Sequence, residues 1–457
     1  MKILMIILCS IMLLNAENVK SISKLTLQDA ILLVKKNNLQ IKMANFDQEI
    51  ANANIKKAEA QNFGTLNFIQ KFARSDNALS VFGFKLTSRK ANFGDFGAQQ
   101  FMRSLATNNP NTYTAPPNNL NYPGDYNFFQ SSLRYEVPLF TGFKLTSYKH
   151  IEKAIEKMKN LDKTQLTHEK IFQIKKTYYS LSLLSHTIAQ MNIILKNIKR
   201  LEDTSKAMVK EGYATNIDVL EVQAKLANVL RLINQMQANQ TLLYQYLSFL
   251  LNQKVTSIVL PPQDVTMIHL TDKEILAHNI DIQKAKNGLA IGHNLVTISK
   301  ASYYPAIGAF AQVSTADNTF LGDADKHKAY TIGAKLTWNI FNGGADSAMI
   351  QKAEIEQLKA STGLDLAKQA MLLKVEKIKT QIKSDNYEIA SLKQGVKLAT
   401  AIYNNYVGRY HEKLVSINDV IIKQTKKIQI VLKLQKIRNK RNNSIFKLEQ
   451  ISNQGQS

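Results

Sequence analysis

The sequence predicts a mainly helical fold of long coiled-coil hairpins that also carries four β-strands, with one plan written twice along the chain. Three observations predict it. Motifs recur at one fixed offset: Phe140 pairs with Phe341, Gly142 with Gly343 and Asp218 with Asp419, each 201 residues apart. Long stretches without proline keep an apolar residue every three or four positions, as in Ile171, Ile174, Tyr178 and Leu181 and again in Ile188, Met191, Leu195 and Ile198. Two short segments instead alternate every second residue.

The first residues come first in the order of the chain. Lys2 precedes an apolar run from Ile3 to Leu14, followed by Asn15-Ala16-Glu17. A positive start, a short apolar stretch and a small residue read as an export signal over 1–16, cleaved after Ala16. A run of about 12 residues is too short to span a bilayer as a helix. No later stretch is long and apolar enough either, so an exported chain of this kind is soluble or inserted as a β-barrel.

Two repeats follow, 17–260 and 261–457. Each runs helix, two strands, very long helix, tight tip and helix. Helices are expected over 26–61, 144–211, 217–252, 272–303, 344–412 and 417–452. The segment 144–211 holds neither proline nor glycine and would be about 100 Å long as one helix. Upstream of the strands the offset becomes 241, shown by Asn38 with Asn279, Ala60 with Ala301 and Gly64 with Pro305. The first repeat therefore carries about 40 extra residues. This insert, roughly 75–125, holds Phe82-Gly-Phe84, Phe93-Gly-Asp-Phe-Gly97 and Pro116-Pro117, and reads as an ordered but irregular loop. A partial lid over a barrel mouth is one role for it, and a variable surface loop is the other.

The strands decide what the helices are for. Phe129, Ser131, Leu133, Tyr135 and Val137 alternate with Phe128, Gln130, Ser132, Arg134 and Glu136. Tyr330, Ile332, Ala334, Leu336 and Trp338 alternate with Thr331, Gly333, Lys335 and Thr337. Less regular strands start near Gly64 and Pro305. Alternation with terminal aromatics suits strands that face lipid. Four strands cannot close a barrel, and open edges cannot sit in lipid. The chain must then oligomerise, each copy adding strands to a shared barrel.

Composition excludes other classes. The chain has 457 residues and one cysteine, Cys9. That leaves no disulfide framework and no multi-cysteine metal site. The net charge is +24, and Lys423, Lys426, Lys427, Lys433, Lys436, Arg438, Lys440 and Arg441 form a basic helix. No nucleic-acid fold signature accompanies it, so it reads as a solvated face. His278 and His293 lack companions at ligand spacing. No nucleophile elbow, phosphate loop or metalloprotease motif occurs. No enzyme and no cofactor are expected.

Several motifs together resemble the TolC-type outer membrane efflux family. They are Leu25-Thr-Leu-Gln-Asp-Ala-Ile-Leu-Leu-Val with Asn37-Asn-Leu39, Pro138-Leu-Phe-Thr-Gly142, Gly212 with Asp218-Val219-Leu220, and Arg409-Tyr410 with Ser416 and Asp419-Val420. Order, spacing and duplication carry the likeness over about 25–452. The resemblance implies a homotrimer in the outer membrane, with a 12-stranded β-barrel and a helical tube reaching into the periplasm. It implies docking on a periplasmic adaptor and an inner-membrane pump of the RND, ABC or MFS type, with cargo passing chemically unchanged. The rival is a periplasmic coiled-coil scaffold or adaptor with no pore.

The resemblance also assigns residues. Asp419 matches the pore-constricting carboxylate, Tyr410 the gate tyrosine and Asp218 its hydrogen-bonding partner. Ile422 stands where the family has a second constricting Asp, Val415 where it has an arginine and Lys413 where it has a glycine. These changes imply a looser, more apolar gate. The tips, Gly212, Tyr213, Ala214 and Thr215 with Lys413, Leu414, Val415 and Ser416, are the expected adaptor contacts. An Asp near a helix start also serves the helix dipole without any gate.

Overall fold

The computed structural model describes residues 21–267, 271–320, 322–323 and 325–453. The export signal expected over 1–16 lies outside them. The helices are α1 Leu27–Asn37, α2 Leu39–Ala60, α3 Ala78–Thr87, α4 Ala98–Ala106, α5 Asn118–Asn121, α6 Lys144–Lys210, α7 Asn216–Leu251, α8 Asp272–His278, α9 Ile280–Lys300, α10 Ala345–His411 and α11 Ile417–Ser452. The strands are β1 Thr65–Ser75, β2 Tyr126–Phe140, β3 Ala306–Asp317 and β4 Lys328–Thr337. No described helix is long and apolar enough to cross a membrane.

Two expected helices are each broken by an asparagine. Asn38 separates α1 from α2, and Asn279 separates α8 from α9; both have extended backbone. The Asn38 amide donates to the Leu250 carbonyl at 2.8 Å, while its side-chain oxygen accepts from the Gln40 and Ile41 amides. Asn279 does the same with the Ile451 carbonyl and the Ile282 amide. A short polar side chain that bonds backbone groups competes with helix continuation. The break lets the second helix start where α7 or α11 ends. The insert also departs from the expected irregular loop, because α3, α4 and α5 fold within it. Trp338, expected to end a strand, lies just beyond β4.

The described residues divide into two compact units, those within Met1–Ile50, Lys157–Gly288 and Ala360–Ser457, and those within Ala51–Glu156 and Leu289–Lys359. The first is helical, and its packing repeats as its sequence does. Ile174, Leu181, Leu247 and Leu250 bury with Val34 in one layer. Their counterparts Val375, Ile382, Leu448 and Ile451 bury with Ile275 in another. A third layer joins four helices, with Met191 and Ile198 of α6, Val222 and Val229 of α7, Tyr403 and Tyr410 of α10, and Ile417 and Val420 of α11. Fully burying such a side chain contributes about 1.5–3 kcal/mol, so these layers stabilise the hairpins far more than helix propensity does.

The second unit holds an antiparallel sheet in the order β1-β2-β3-β4. Each strand pairs only with its neighbours in sequence. Among the described residues, β1 and β4 each leave one hydrogen-bonding edge without a strand partner.

Candidate functional site

The sheet has two chemically different faces, and the register shows that the difference runs across all four strands. Phe68, Leu133, Val313 and Tyr330 lie in one row, and Leu66, Tyr135, Ala311 and Ile332 in the next. Their large side chains are exposed, Tyr330 to 78% and Ile332 to 76%. On the opposite face Asn67, Arg134, Gln312 and Thr331 form a polar row. Beside it Arg134 pairs with Glu136 and lies 5.6 Å from the Phe310 ring centre. A Cβ on Gly333 would come within 2.8 Å of that ring, so the missing side chain makes room for it. A continuous exposed apolar face of this size needs lipid or protein against it.

The polar face belongs to a cavity of about 1120 Å³ lined by Lys57, Arg134, Glu136, Lys144, Phe310 and Lys335, among others. The strand-to-helix junction beside it uses Gly142 at φ 61°. A Cβ there would lie 2.8 Å from the Ala301 carbonyl oxygen. Its counterpart Gly343 has φ 57°, so the repeat preserves this turn.

The hairpin tips are built alike in both repeats. Gly212 turns the first tip at φ 77°, and Lys413 turns the second at φ 62°. The second tip therefore keeps the left-handed turn although it lacks the glycine, at a cost of about 1 kcal/mol. Each turn then enters a helix through a capping box. Thr215 and Asp218 exchange hydrogen bonds between side chain and backbone, as do Ser416 and Asp419. The Ser416 hydroxyl donates to the Asp419 carboxylate at 2.7 Å. That bond and the Ser416 amide hold the Asp419 carboxyl below its ordinary pKa, with Lys423 and Arg409 adding to the effect. The Lys413 ammonium sits 3.1 Å from the centre of the Tyr213 ring and ties one tip to the other.

Each expected gate residue has a clear setting. Tyr410 is buried, and its hydroxyl lies 3.1 Å from the Ser205 hydroxyl. Burial raises the phenol pKa, the Ser205 bond lowers it, and the nearby Asp218 charge raises it. Within the protomer the Asp218 carboxylate serves its own capping box through Thr215. Ile422 is exposed, as are Tyr213 and Leu414. Ser205 was not legible in the sequence, since its role comes only from the approach of α10 to α6. Gln424 was also missed. It is 1% exposed, and neither amide atom has a partner within the protomer.

Comparison with known proteins gives a family likeness over part of the chain and a fold likeness over nearly all of it. Residues 273–417 match the family model described as Outer membrane efflux protein. That stretch runs from α8 through β3, β4 and α10 to the second tip. No curated protein sequence matches the chain. Among solved structures, CusC is similar with a TM-score of 0.76 at 14% identity, covering 93% of this chain and 91% of that one. VceC of Vibrio cholerae, an outer membrane protein, gives 0.75 at 15%, covering 94% and 97%. The CmeC outer membrane channel of Campylobacter jejuni gives 0.74 at 15%, covering 93% and 85%.

The fold shared over nearly the whole chain is that of outer membrane channels. The likeness in sequence lies within the second repeat, over 273–417, and the likeness in fold covers nearly the whole chain.

Proposed function

We propose that three copies of this chain close a 12-stranded barrel in the outer membrane and form the exit duct of a tripartite efflux or type I secretion assembly. One observation carries the reading. The four-stranded sheet exposes an apolar face, keeps a polar face opposite and leaves both edges open. Pairing the β4 edge of one copy with the β1 edge of the next satisfies every edge, and lipid covers the apolar rows. A periplasmic scaffold would have no use for such a sheet. The polar face then lines the lumen, and the duct passes its cargo without a chemical step.

The hairpin tips serve as the gate and the adaptor contact. Asp419 from each copy faces the axis, and the exposed Ile422 narrows the passage just above it. Capping lowers the pKa of each Asp419 in the protomer, while mutual repulsion in a ring of three raises it. Such a ring disfavours anions and attracts cations. Tyr410 bonds Ser205 in the closed hairpin and has Asp218 as an alternative partner when the hairpins shift. The residues of both tips meet a periplasmic adaptor, which couples the duct to an inner-membrane pump.

The test is planar-bilayer conductance of the detergent-extracted oligomer, wild type beside Asp419→Ala. Discrete steps are expected, with cation preference reduced in the variant. Steps unchanged by the substitution would remove Asp419 from the constriction. No insertion by an intact oligomer would overturn the channel.

A further inference from the structure

We infer that the insert of the first repeat is a latched strap over one end of the lumen face of the sheet, which narrows the outer mouth of the duct. The inference rests on the channel reading for what the strap does, but not for where it lies.

The register gives its position. Tyr126 and Phe128 belong to the same face of β2 as Gln130, Ser132, Arg134 and Glu136, the polar one. Helix α3 sits on that face. Phe84 stacks on Phe128 with ring centres 4.3 Å apart and planes at 12°. Lys85 lies 5.6 Å from the Tyr126 ring centre, and the Ser88 hydroxyl lies 3.4 Å from the Tyr126 hydroxyl. Lys71, on the same face of β1, lies 5.8 Å from both the Phe84 and Phe128 ring centres. Val81 and Ser88 are fully buried. The helix is therefore seated on the sheet.

The far end of α3 is fastened to the other hairpin. Arg89 donates to the Lys328 carbonyl at 2.7 Å, at the start of β4. Lys90 donates to the Asp317 carboxylate and, at 2.6 Å, to the Asn318 side chain, at the end of β3. The Asp317 side chain is 4% exposed, and the Asn318 and Asp323 amides hold its carboxylate in place at 2.6 Å each. The receiving end is thus preformed. Arg89 itself adopts φ 53°, in the left-handed region. The turn that ends α3 sets this backbone, with the Lys90 amide donating to the Lys85 carbonyl and the Arg89 amide to the Leu86 carbonyl.

By register Asp317 falls in the row of Phe129, so the strap starts beyond β1, reaches round the end of the sheet to fasten on β3 and β4, and covers the Tyr126–Phe128 end of the polar face. In a closed barrel that face is the lumen. The second repeat joins β3 to β4 with no such insert, so each protomer carries one strap. Three copies place three seated helices inside the mouth.

The experiment uses the whole detergent-extracted oligomer, comparing wild type with the Arg89→Gln/Lys90→Gln double variant. Asp317 is left intact, because it also organises its own loop. The first readout is the labelling rate of an added Ser88→Cys thiol, which lies between strap and sheet. Labelling is expected to be at least roughly tenfold faster in the latch variant, the factor for losing one of the three charge-assisted hydrogen bonds that Arg89 and Lys90 make. The second readout is unitary conductance, expected to rise. Equal labelling rates in both proteins, with the oligomer intact, would overturn the strap. Faster labelling with unchanged conductance would overturn its narrowing of the mouth. Absence of any conductance, with faster labelling, would sink the channel reading and keep the strap.

Discussion

In the proposed channel Asp419 has two roles with opposite electrostatic signs, the cap and the ring. Its cap to Ser416 lowers the carboxyl pKa. A group held below its unfolded value contributes stability above that unfolded value, about 3.9 for Asp, and loses it as pH falls through the folded value. The Asp419→Asn variant should therefore lose thermal stability near neutral pH and show a flatter acid limb, read from unfolding midpoints across pH. A rise in midpoint near pH 7 would mean that the ring's repulsion outweighs the cap. Gln424 offers a second test. An unpaired buried amide costs about 1–3 kcal/mol, and Gln424 is unpaired at both amide atoms within the protomer. The Gln424→Leu variant should raise the unfolding midpoint. A fall would place a hydrogen-bonding partner for Gln424 in a neighbouring copy.

Among the elements, the helix breaks at Asn38 and Asn279 are the joints of the fold. Each asparagine is buried and bonds both a distant carbonyl and the amides of the helix it starts. The Asn279→Ala substitution should cost about 1–3 kcal/mol, since the Ile451 carbonyl and the Ile282 amide lose their partner. Asn38→Ala should cost a similar amount in the first repeat. Denaturant unfolding of the two variants checks this, and a neutral result at either site would show that the helix simply runs through. The pairing of these two asparagines was visible in the sequence, but their function as breaks was not. A lone asparagine inside a helical pattern is ordinary, and only the carbonyl arriving from α7 or α11 turns it into a joint. The long helices α6 and α10 and the returning helices α7 and α11 were legible almost to the residue, because heptad periodicity, missing prolines and Thr or Ser caps all agree there.

For the assembled molecule, the sheet decides the environment. Ile332 lies on the exposed apolar face of the edge strand β4. The Ile332→Lys substitution should cost about 2–4 kcal/mol if that row faces the bilayer midplane. It should reduce the heat-resistant oligomer recovered from the outer-membrane fraction, whereas Thr331→Lys, on the polar face, should leave recovery near wild type. Equal recovery of both variants would argue that neither face meets lipid.

Duplication, strand alternation and the capped tips were written locally, so the chain alone announced the architecture and pointed to Asp218 and Asp419. The two-residue period marked which face of β2 and β4 is apolar, whereas the register of the four strands came from the fold. Contacts between residues far apart in sequence were decided only by the fold. The bond between Tyr410 and Ser205 needs α10 packed on α6. The seat of α3 on Phe128 and the reach of Lys90 to Asp317 need a loop folded back over its own sheet. Periodicity records which face of an element is buried, but it carries no information about which distant side chain completes a hydrogen bond there.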